Sequence, residues 1–253
     1  MLNHPTLAKL QSMKFHGMAR AFAEQLDTAD IGALDFDDRF GLLVDREWTE
    51  RHSRQLSNRL RRAKLRNPGA CLEDVDYRHR RNLDKALFTS LGSCQWLRER
   101  LDVLITGPTG VGKSWLACAL AHQACRDGHS ALYVRLPRLL TELDIGRGDG
   151  RYAKLLASLA KTDLLILDDW GLTPMNAAQR RDLLEVIEER HTRRSTIATS
   201  QLPLDKWHDF IGDPTLADAI LDRLVHGAYT FKLKGESMRK PRRTLTDADH
   251  SSS

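Results

Sequence analysis

The chain has 253 residues, with 39 Lys and Arg against 34 Asp and Glu, a formal net charge of +5 and 41% apolar residues. That is enough apolar material to bury a core, and it excludes a disordered, collagen-like or low-complexity chain. No apolar run approaches the roughly 20 residues that span a bilayer, and no export signal is evident. A cytoplasmic protein with no membrane partner is expected. Cys71, Cys94, Cys118 and Cys125 form no C-x-x-C pair and read as buried reduced thiols rather than a zinc site.

The first third reads as helical. Leu7, Leu10, Phe15, Met18, Phe22 and Leu26 approximate a 3.6-residue period, with Gly17 its weak point. A second helix is predicted from Asp35, an N-cap followed by Asp37 and Asp38 in the first turn. No Gly or Pro interrupts Leu42 to Asn67, and Phe40, Leu43, Val44, Trp48, Leu56, Leu60 and Ala63 can share one apolar face. Asn67-Pro68-Gly69 ends the helix, so a helical domain is assigned to residues 1–68 and a second domain to 69–253. A further basic helix is expected between Tyr77 and Phe88.

Positive charge concentrates here. Arg46 to Arg66 carries eight basic residues against Glu47 and Glu50, and Arg78, Arg80 and Arg81 follow. Lys232, Lys234, Arg239, Lys240, Arg242 and Arg243 enrich the tail. Such density attracts nucleic-acid backbones, and Arg54, Arg59, Arg61, Arg62, Lys64 and Arg66 are the DNA-binding candidates. A solvated helix face would have the same composition. Nothing resembles a base-reading module, so backbone and shape recognition are expected.

Beyond Leu101 short β-rich runs alternate with helical ones. Strands are predicted at 103–106, 131–135, 164–167, 196–199 and 229–233. Helices are predicted at 113–126, 138–143, 152–160, 177–191 and 215–224. The alternation implies an α/β fold with a parallel sheet covered on both faces.

Gly107-Pro108-Thr109-Gly110-Val111-Gly112-Lys113-Ser114 matches G-x-x-x-x-G-K-[ST] at every position, between an apolar strand and a helix. Glycines let backbone amides wrap an anion, and the helix that follows points its positive end at it. Lys113 adds a full charge between the β- and γ-phosphates, and Ser114 offers a hydroxyl to Mg²⁺. Residues 107–115, ending at Trp115, form the candidate ATP-binding segment. Leu164 to Asp169 is an apolar strand ending in two carboxylates: Asp168 is the candidate Mg²⁺ ligand and Asp169 the candidate general base. Ser200 and Gln201 end another strand and could reach the γ-phosphate or position water. Arg223, near a helix end, suits either an arginine finger for a neighbouring subunit or a salt bridge to Asp218 or Asp222.

Taken with Leu164-Leu-Ile-Leu-Asp-Asp-Trp-Gly, Ser195-Thr-Ile-Ala-Thr-Ser-Gln-Leu-Pro, Ala217-Asp-Ala-Ile-Leu-Asp-Arg-Leu-Val-His and Gly235-Glu-Ser-Met-Arg-Lys, the P-loop resembles the IstB family. These are the helper ATPases of bacterial insertion sequences that encode an IstA transposase. His4-Pro-Thr-Leu-Ala-Lys-Leu and Arg46-Glu-Trp-Thr-Glu-Arg extend the likeness to almost the whole chain. The resemblance implies an AAA+ P-loop NTPase of the ASCE type, related to DnaC and DnaA, with sheet order 5-1-4-3-2. It implies ATP-dependent self-assembly on double-stranded DNA, an IstA-type transposase as partner, and DNA-stimulated hydrolysis that drives disassembly. Lys113 and Ser114 fall on Walker A, Asp168 and Asp169 on Walker B, Ser200 or Gln201 on sensor 1, and Arg223 on the finger. Asp169 stands where many AAA+ proteins have Glu. The 30 residues after Arg223 are too few for the usual helical lid, leaving Arg239 as a substitute sensor. Two rival readings are a DnaC-like helicase loader and a small-molecule P-loop kinase. The kinase is disfavoured by the strand between P-loop and Asp168, the absence of an acceptor lid, and the basic N-terminal helix.

Overall fold

A computed structural model describes residues 4–238; Arg239, Lys240, Arg242 and Arg243, named above, lie outside them. By their contacts the residues divide into two units, 1–59 and 60–253. The division falls inside a helix, nine residues before the boundary read from the sequence.

The first unit begins with α1 (Pro5–Ser12) and α2 (His16–Asp27). The sequence period suggested continuous helix here, but Lys14 adopts φ 62°. The Phe15 amide then reaches back to the Leu10 carbonyl at 2.9 Å, which closes α1 in a Schellman-type turn. Such turns usually carry glycine, so its absence hid the break. Next, α3 (Phe36–Ala63) starts as predicted, with the Asp38 amide donating to Asp35 Oδ1 at 2.8 Å. It ends at Ala63 rather than Asn67, because Lys64 takes a left-handed φ of 51°.

Gly17 is a packing requirement rather than a weak point. A Cβ there would lie 2.7 Å from the Glu47 Cα, so α2 crosses α3 at a distance only glycine permits. At the crossing, Glu47 Oε2 accepts from the amides of Gly17 (2.7 Å) and Met18 (3.3 Å) and so caps α2 with a carboxylate. Burial works to raise the Glu47 carboxyl, but hydrogen bonds from Arg51 and those two amides carry it below its ordinary value. The predicted apolar face of α3 is only partly buried: Ala63 is fully buried and Leu43, Leu56 and Leu60 half-buried, but Phe40, Val44 and Trp48 are 48%, 43% and 61% exposed.

In the second unit the predicted Tyr77–Phe88 helix shrinks to α4 (Lys85–Ser90), capped by Asp84, followed by α5 (Gln95–Arg98). Residues 77–84 are irregular, with Asn82 at φ 56° and Arg81 drawn into the interior. The core alternates β1 (Val103–Thr106), α6 (Lys113–Arg126), β2 (Ala131–Arg135), α7 (Leu136–Asp149), α8 (Tyr152–Lys161), β3 (Leu164–Trp170) and α9 (Ala177–Arg190). It continues with β4 (Ser195–Ser200), α10 (Trp207–Ile211), α11 (Pro214–Val225) and β5 (Tyr229–Lys232). The five strands are parallel in the order β2-β3-β4-β1-β5, which is the expected 5-1-4-3-2 read from the other edge. The inner strands β1 and β4 are buried throughout, as central parallel strands must be. On α6, Cys118 and Cys125 are buried thiols as expected, whereas Cys71 is half-exposed.

At the sheet end away from the phosphate loop, the buried Arg190 guanidinium donates to the carbonyls of Leu159, Thr162 and Ser195 and ties three elements together. Nearby, Asp102 Oδ1 accepts the Thr196 amide at 2.6 Å, and burial pushes its carboxyl up to about 7. The unfolded chain releases that proton near pH 4 but the folded chain holds it until about 7, so this group's contribution to stability falls as pH rises between those values. Asp102→Asn, which keeps the acceptor, is expected to raise the urea midpoint above pH 7 and leave it nearly unchanged at pH 4.

Candidate functional site

The carboxyl ends of β1, β3 and β4 converge on a cleft of about 790 Å³, within the second unit. Its floor is the loop between β1 and α6. Gly112 takes φ 94°, a conformation L side chains rarely adopt, and a Cβ there would press on Arg81 Nη1 at 2.6 Å, so any substitution is strained. Lys113 opens α6, and its ammonium donates to the carbonyls of Gly107 and Pro108, both at 2.7 Å. Thr109, Gly110, Gly112, Ser114 and Trp115 face the cleft, whereas the Val111 side chain is buried. The predicted nucleotide segment therefore comes together as one concave, amide-rich surface at a helix N-terminus.

Asp168 is 1% exposed. Its Oδ1 accepts from Ser114 Oγ at 2.8 Å and from the Thr199 hydroxyl, while Oδ2 accepts from the Tyr133 phenol and from Arg66 Nη1 at 3.3 Å. Burial and the Asp168 charge push the Tyr133 phenol up, which keeps it a donor. Ser114 and Asp168 place hard oxygen ligands side by side beside Lys113, a donor set that suits Mg²⁺ with its retained waters.

A register shift between Leu167 and Trp170 bulges β3 at this end. Asp169 occupies the bulge at φ 61°, an uncommon conformation outside glycine and one that collects at functional sites. Its side chain turns into the cleft, where Arg135 Nε donates to Oδ2 at 2.5 Å. Of the two β4-end candidates, Gln201 accepts from Thr109 Oγ1 of the loop at 2.7 Å. Ser200 is 1% exposed and its hydroxyl is committed to backbone, donating to the Trp170 carbonyl at 2.6 Å.

Arg223 does not line the cleft. It pairs with Glu188 of α9, not with Asp218 or Asp222, and donates to the Ala219 carbonyl at 2.9 Å. Among the DNA candidates Arg54, Arg61, Arg62 and Lys64 are exposed and Arg59 is half-buried. Arg66 is directed instead at Asp168. Arg81, counted with the basic stretch, is 2% exposed, lines the cleft, and donates to the Val111 carbonyl at 3.1 Å and the Asp76 carbonyl at 3.2 Å, bracing the loop. Burial lowers its guanidinium from the ordinary value. The Gly235-Glu-Ser-Met segment runs along the same loop, and the Met238 amide donates to the Gly110 carbonyl at 3.0 Å.

Sequence reasoning missed Thr199, Tyr133 and Arg135 and assigned Arg66 and Arg81 elsewhere. Thr199 had a signal, since the β4 end was already suspected and its neighbour was chosen. Tyr133 had one in the expected strand pairing, which sets the end of β2 beside Asp168.

The family model for IstB-like ATP binding proteins matches residues 8–246. An insertion sequence ATP-binding protein of Sinorhizobium fredii is 55% identical over 243 residues, covering 96% of this chain and 99% of the relative. Among solved structures the fold is similar to DnaI, with a TM-score of 0.56 and 21% identity over 65% of this chain and 91% of that one. It is likewise similar to the replication initiator DnaA bound to AMPPCP and single-stranded DNA, with a TM-score of 0.55 and 17% identity over 68% of this chain and 52% of that one. These likenesses show the fold of the second unit, an α/β P-loop core with a five-stranded parallel sheet. The match along nearly the full length, together with the 55% identity, makes the chain a member of the IstB-like ATP binding protein family.

Proposed function

We propose that the protein binds and hydrolyses ATP, and that its ATP-bound form assembles on double-stranded DNA to deliver target DNA to an IstA-type transposase. The observation that carries the reading is the joint placement of Lys113, the Ser114–Asp168 pair at 2.8 Å and Asp169 around one cleft at the sheet's carboxyl end. Ser114 and Asp168 would hold Mg²⁺, which when bound neutralises charge across the β- and γ-phosphates.

The chain's own residues account for the rest of the chemistry. Lys113 exchanges the Gly107 and Pro108 carbonyls for phosphate oxygens. Asp169, released from Arg135, accepts a proton from the attacking water as the bond to the terminal phosphorus forms and the bond to the leaving oxygen of ADP breaks. The hydrogen bond from Thr109 to Gln201 supports Gln201 over Ser200 as the residue that orients that water. Arg223 lies off its own cleft, as a finger donated to an adjacent subunit's site requires. The relative from Sinorhizobium fredii carries the name of an insertion sequence ATP-binding protein, which supports a role in transposition. Among the described residues no helix is long and apolar enough to cross a membrane, in keeping with a cytoplasmic site of action.

DNA contact is assigned to the basic end of α3. Reversal of Arg54, Arg61 and Arg62 to Glu is expected to abolish ATP-assisted duplex binding, with the thermal unfolding midpoint and nucleotide affinity retained. Titrations at several salt concentrations test this. Wild-type affinity with an unchanged salt slope would assign those arginines to a solvated face and remove the DNA-binding assignment.

A further inference from the structure

Each acid at the end of β3 has its own arginine in the cleft. Asp169 is held by Arg135 and Asp168 by Arg66. The second pairing is the less expected, because Arg66 comes from the connection just after α3, 102 residues from its partner. That connection is anchored. Leu65 and Ala70 are buried, and the Arg66–Asn67 backbone lies against the buried Cys118 thiol on α6, the helix that carries Lys113 and Ser114. The backbone is fixed on the phosphate-loop helix, while the 45%-exposed Arg66 side chain reaches into the cleft to Asp168 and the Tyr133 phenol.

The chemistry of Asp168 gives that side chain a task. A carboxylate 1% exposed is costly without a counter-charge. Three of its hydrogen bonds come from neutral hydroxyls, those of Ser114, Thr199 and Tyr133, which solvate the charge without cancelling it. Arg66 supplies the positive charge, at 3.3 Å, on the oxygen opposite the one Ser114 uses. Lys113 is directed to the Gly107 and Pro108 carbonyls. Mg²⁺ beside Ser114 and Asp168 would bring two positive charges to the carboxylate that Arg66 now neutralises. A metal ion and a guanidinium on one buried carboxylate repel each other, so metal binding would weaken the Arg66 pairing.

We propose that Arg66 is the counter-ion that Asp168 keeps while metal is absent and yields when Mg²⁺–nucleotide binds, which makes it a positioning residue of the nucleotide site rather than a DNA contact. The proposal rests on the reading that Asp168 serves bound Mg²⁺. It predicts a specific asymmetry. Without metal, Arg66→Ala leaves a bare carboxylate facing the triphosphate, and nucleotide binding weakens. With metal, Arg66 has already yielded, and the same variant binds as well as wild type or slightly better.

The test is titration of a fluorescent ATP analogue into wild type, Arg66→Ala and Arg66→Lys, each in Mg²⁺ and in EDTA, with thermal unfolding to check folding. The ratio of the dissociation constant in EDTA to that in Mg²⁺ is expected to rise roughly tenfold in Arg66→Ala, the size expected for one nearby charge. Arg66→Lys, which keeps the charge, should stay near the wild-type ratio. An unchanged ratio in a folded Arg66→Ala overturns the proposal, whether both constants weaken equally, as for a direct phosphate contact, or only DNA affinity falls. If Arg66→Ala does not fold, a wild-type ratio in a folded Arg66→Gln, which lacks the charge, overturns it equally. Failure of wild type to bind the nucleotide at all would instead refute the functional reading beneath it.

Discussion

Lys113→Ala is expected to weaken ATP binding by at least about 100-fold while the protein stays folded. Lys113 is 9% exposed, and its ammonium rests on two loop carbonyls, both at 2.7 Å, at the mouth of the helix that would receive the phosphates. Those carbonyls hold the cation in place but are poor substitutes for a triphosphate, so the exchange favours ligand. Removing the charge forfeits two charge-assisted hydrogen bonds at about 1.5–3 kcal/mol each, which sets the expected factor. Equilibrium titration of a fluorescent ATP analogue reads the loss, and unfolding curves establish that the sheet is intact. An affinity within a few-fold of wild type would mean that the cleft binds something other than a polyphosphate at this loop.

Asp169→Asn should leave ATP affinity within a few-fold of wild type and slow hydrolysis by roughly 100-fold or more. The substitution isolates the carboxylate with unusual cleanness. Asp169 sits at φ 61°, and Asn is the residue that tolerates this region best after glycine, so the bulge in β3 should persist. What is lost is the proton acceptor and the charge that Arg135 pairs with. Phosphate release at saturating ATP measures the effect. Turnover at the wild-type rate would remove Asp169 from the base role and turn attention to Gln201, which touches the phosphate loop.

The parts of this arrangement that could be read from the sequence are those that depend on neighbours along the chain. The phosphate loop, the apolar strand ending in Asp168 and Asp169, and the limits of α6 follow from local pattern and turn chemistry. What escaped notice depends on contacts between distant segments. Arg66 and Arg81 look like any other residues of a basic stretch until the connection after α3 and the irregular run before α4 are folded against α6 and its loop. The hydroxyl of Thr199 and the phenol of Tyr133 become ligands of Asp168 only once β2, β3 and β4 stand in register. The different settings of Ser200 and Gln201 rest on the same register, which turns one hydroxyl onto the Trp170 carbonyl and the neighbouring amide onto the P-loop. In the first unit, periodicity found the helices but not the break at Lys14, which uses a left-handed residue with no glycine to mark it. The apolar face of α3 was correctly located as a pattern, yet pattern alone could not say that Phe40, Val44 and Trp48 stay exposed.

We propose that the nucleotide state of this cleft governs assembly on DNA. A γ-phosphate is a contact that ATP offers and ADP lacks, and a switch requires a partner that distinguishes the two. Arg223, outside its own cleft, is assigned that part through a neighbouring subunit. Sedimentation velocity of the protein with duplex DNA and a non-hydrolysable ATP analogue, with ADP, and without nucleotide is the most direct test. Oligomers on DNA are expected with the analogue alone, free subunits with ADP, and no assembly by Arg223→Ala although it still binds the analogue. Equal sizes in all three nucleotide states, or full-sized complexes formed by Arg223→Ala, would contradict the proposal.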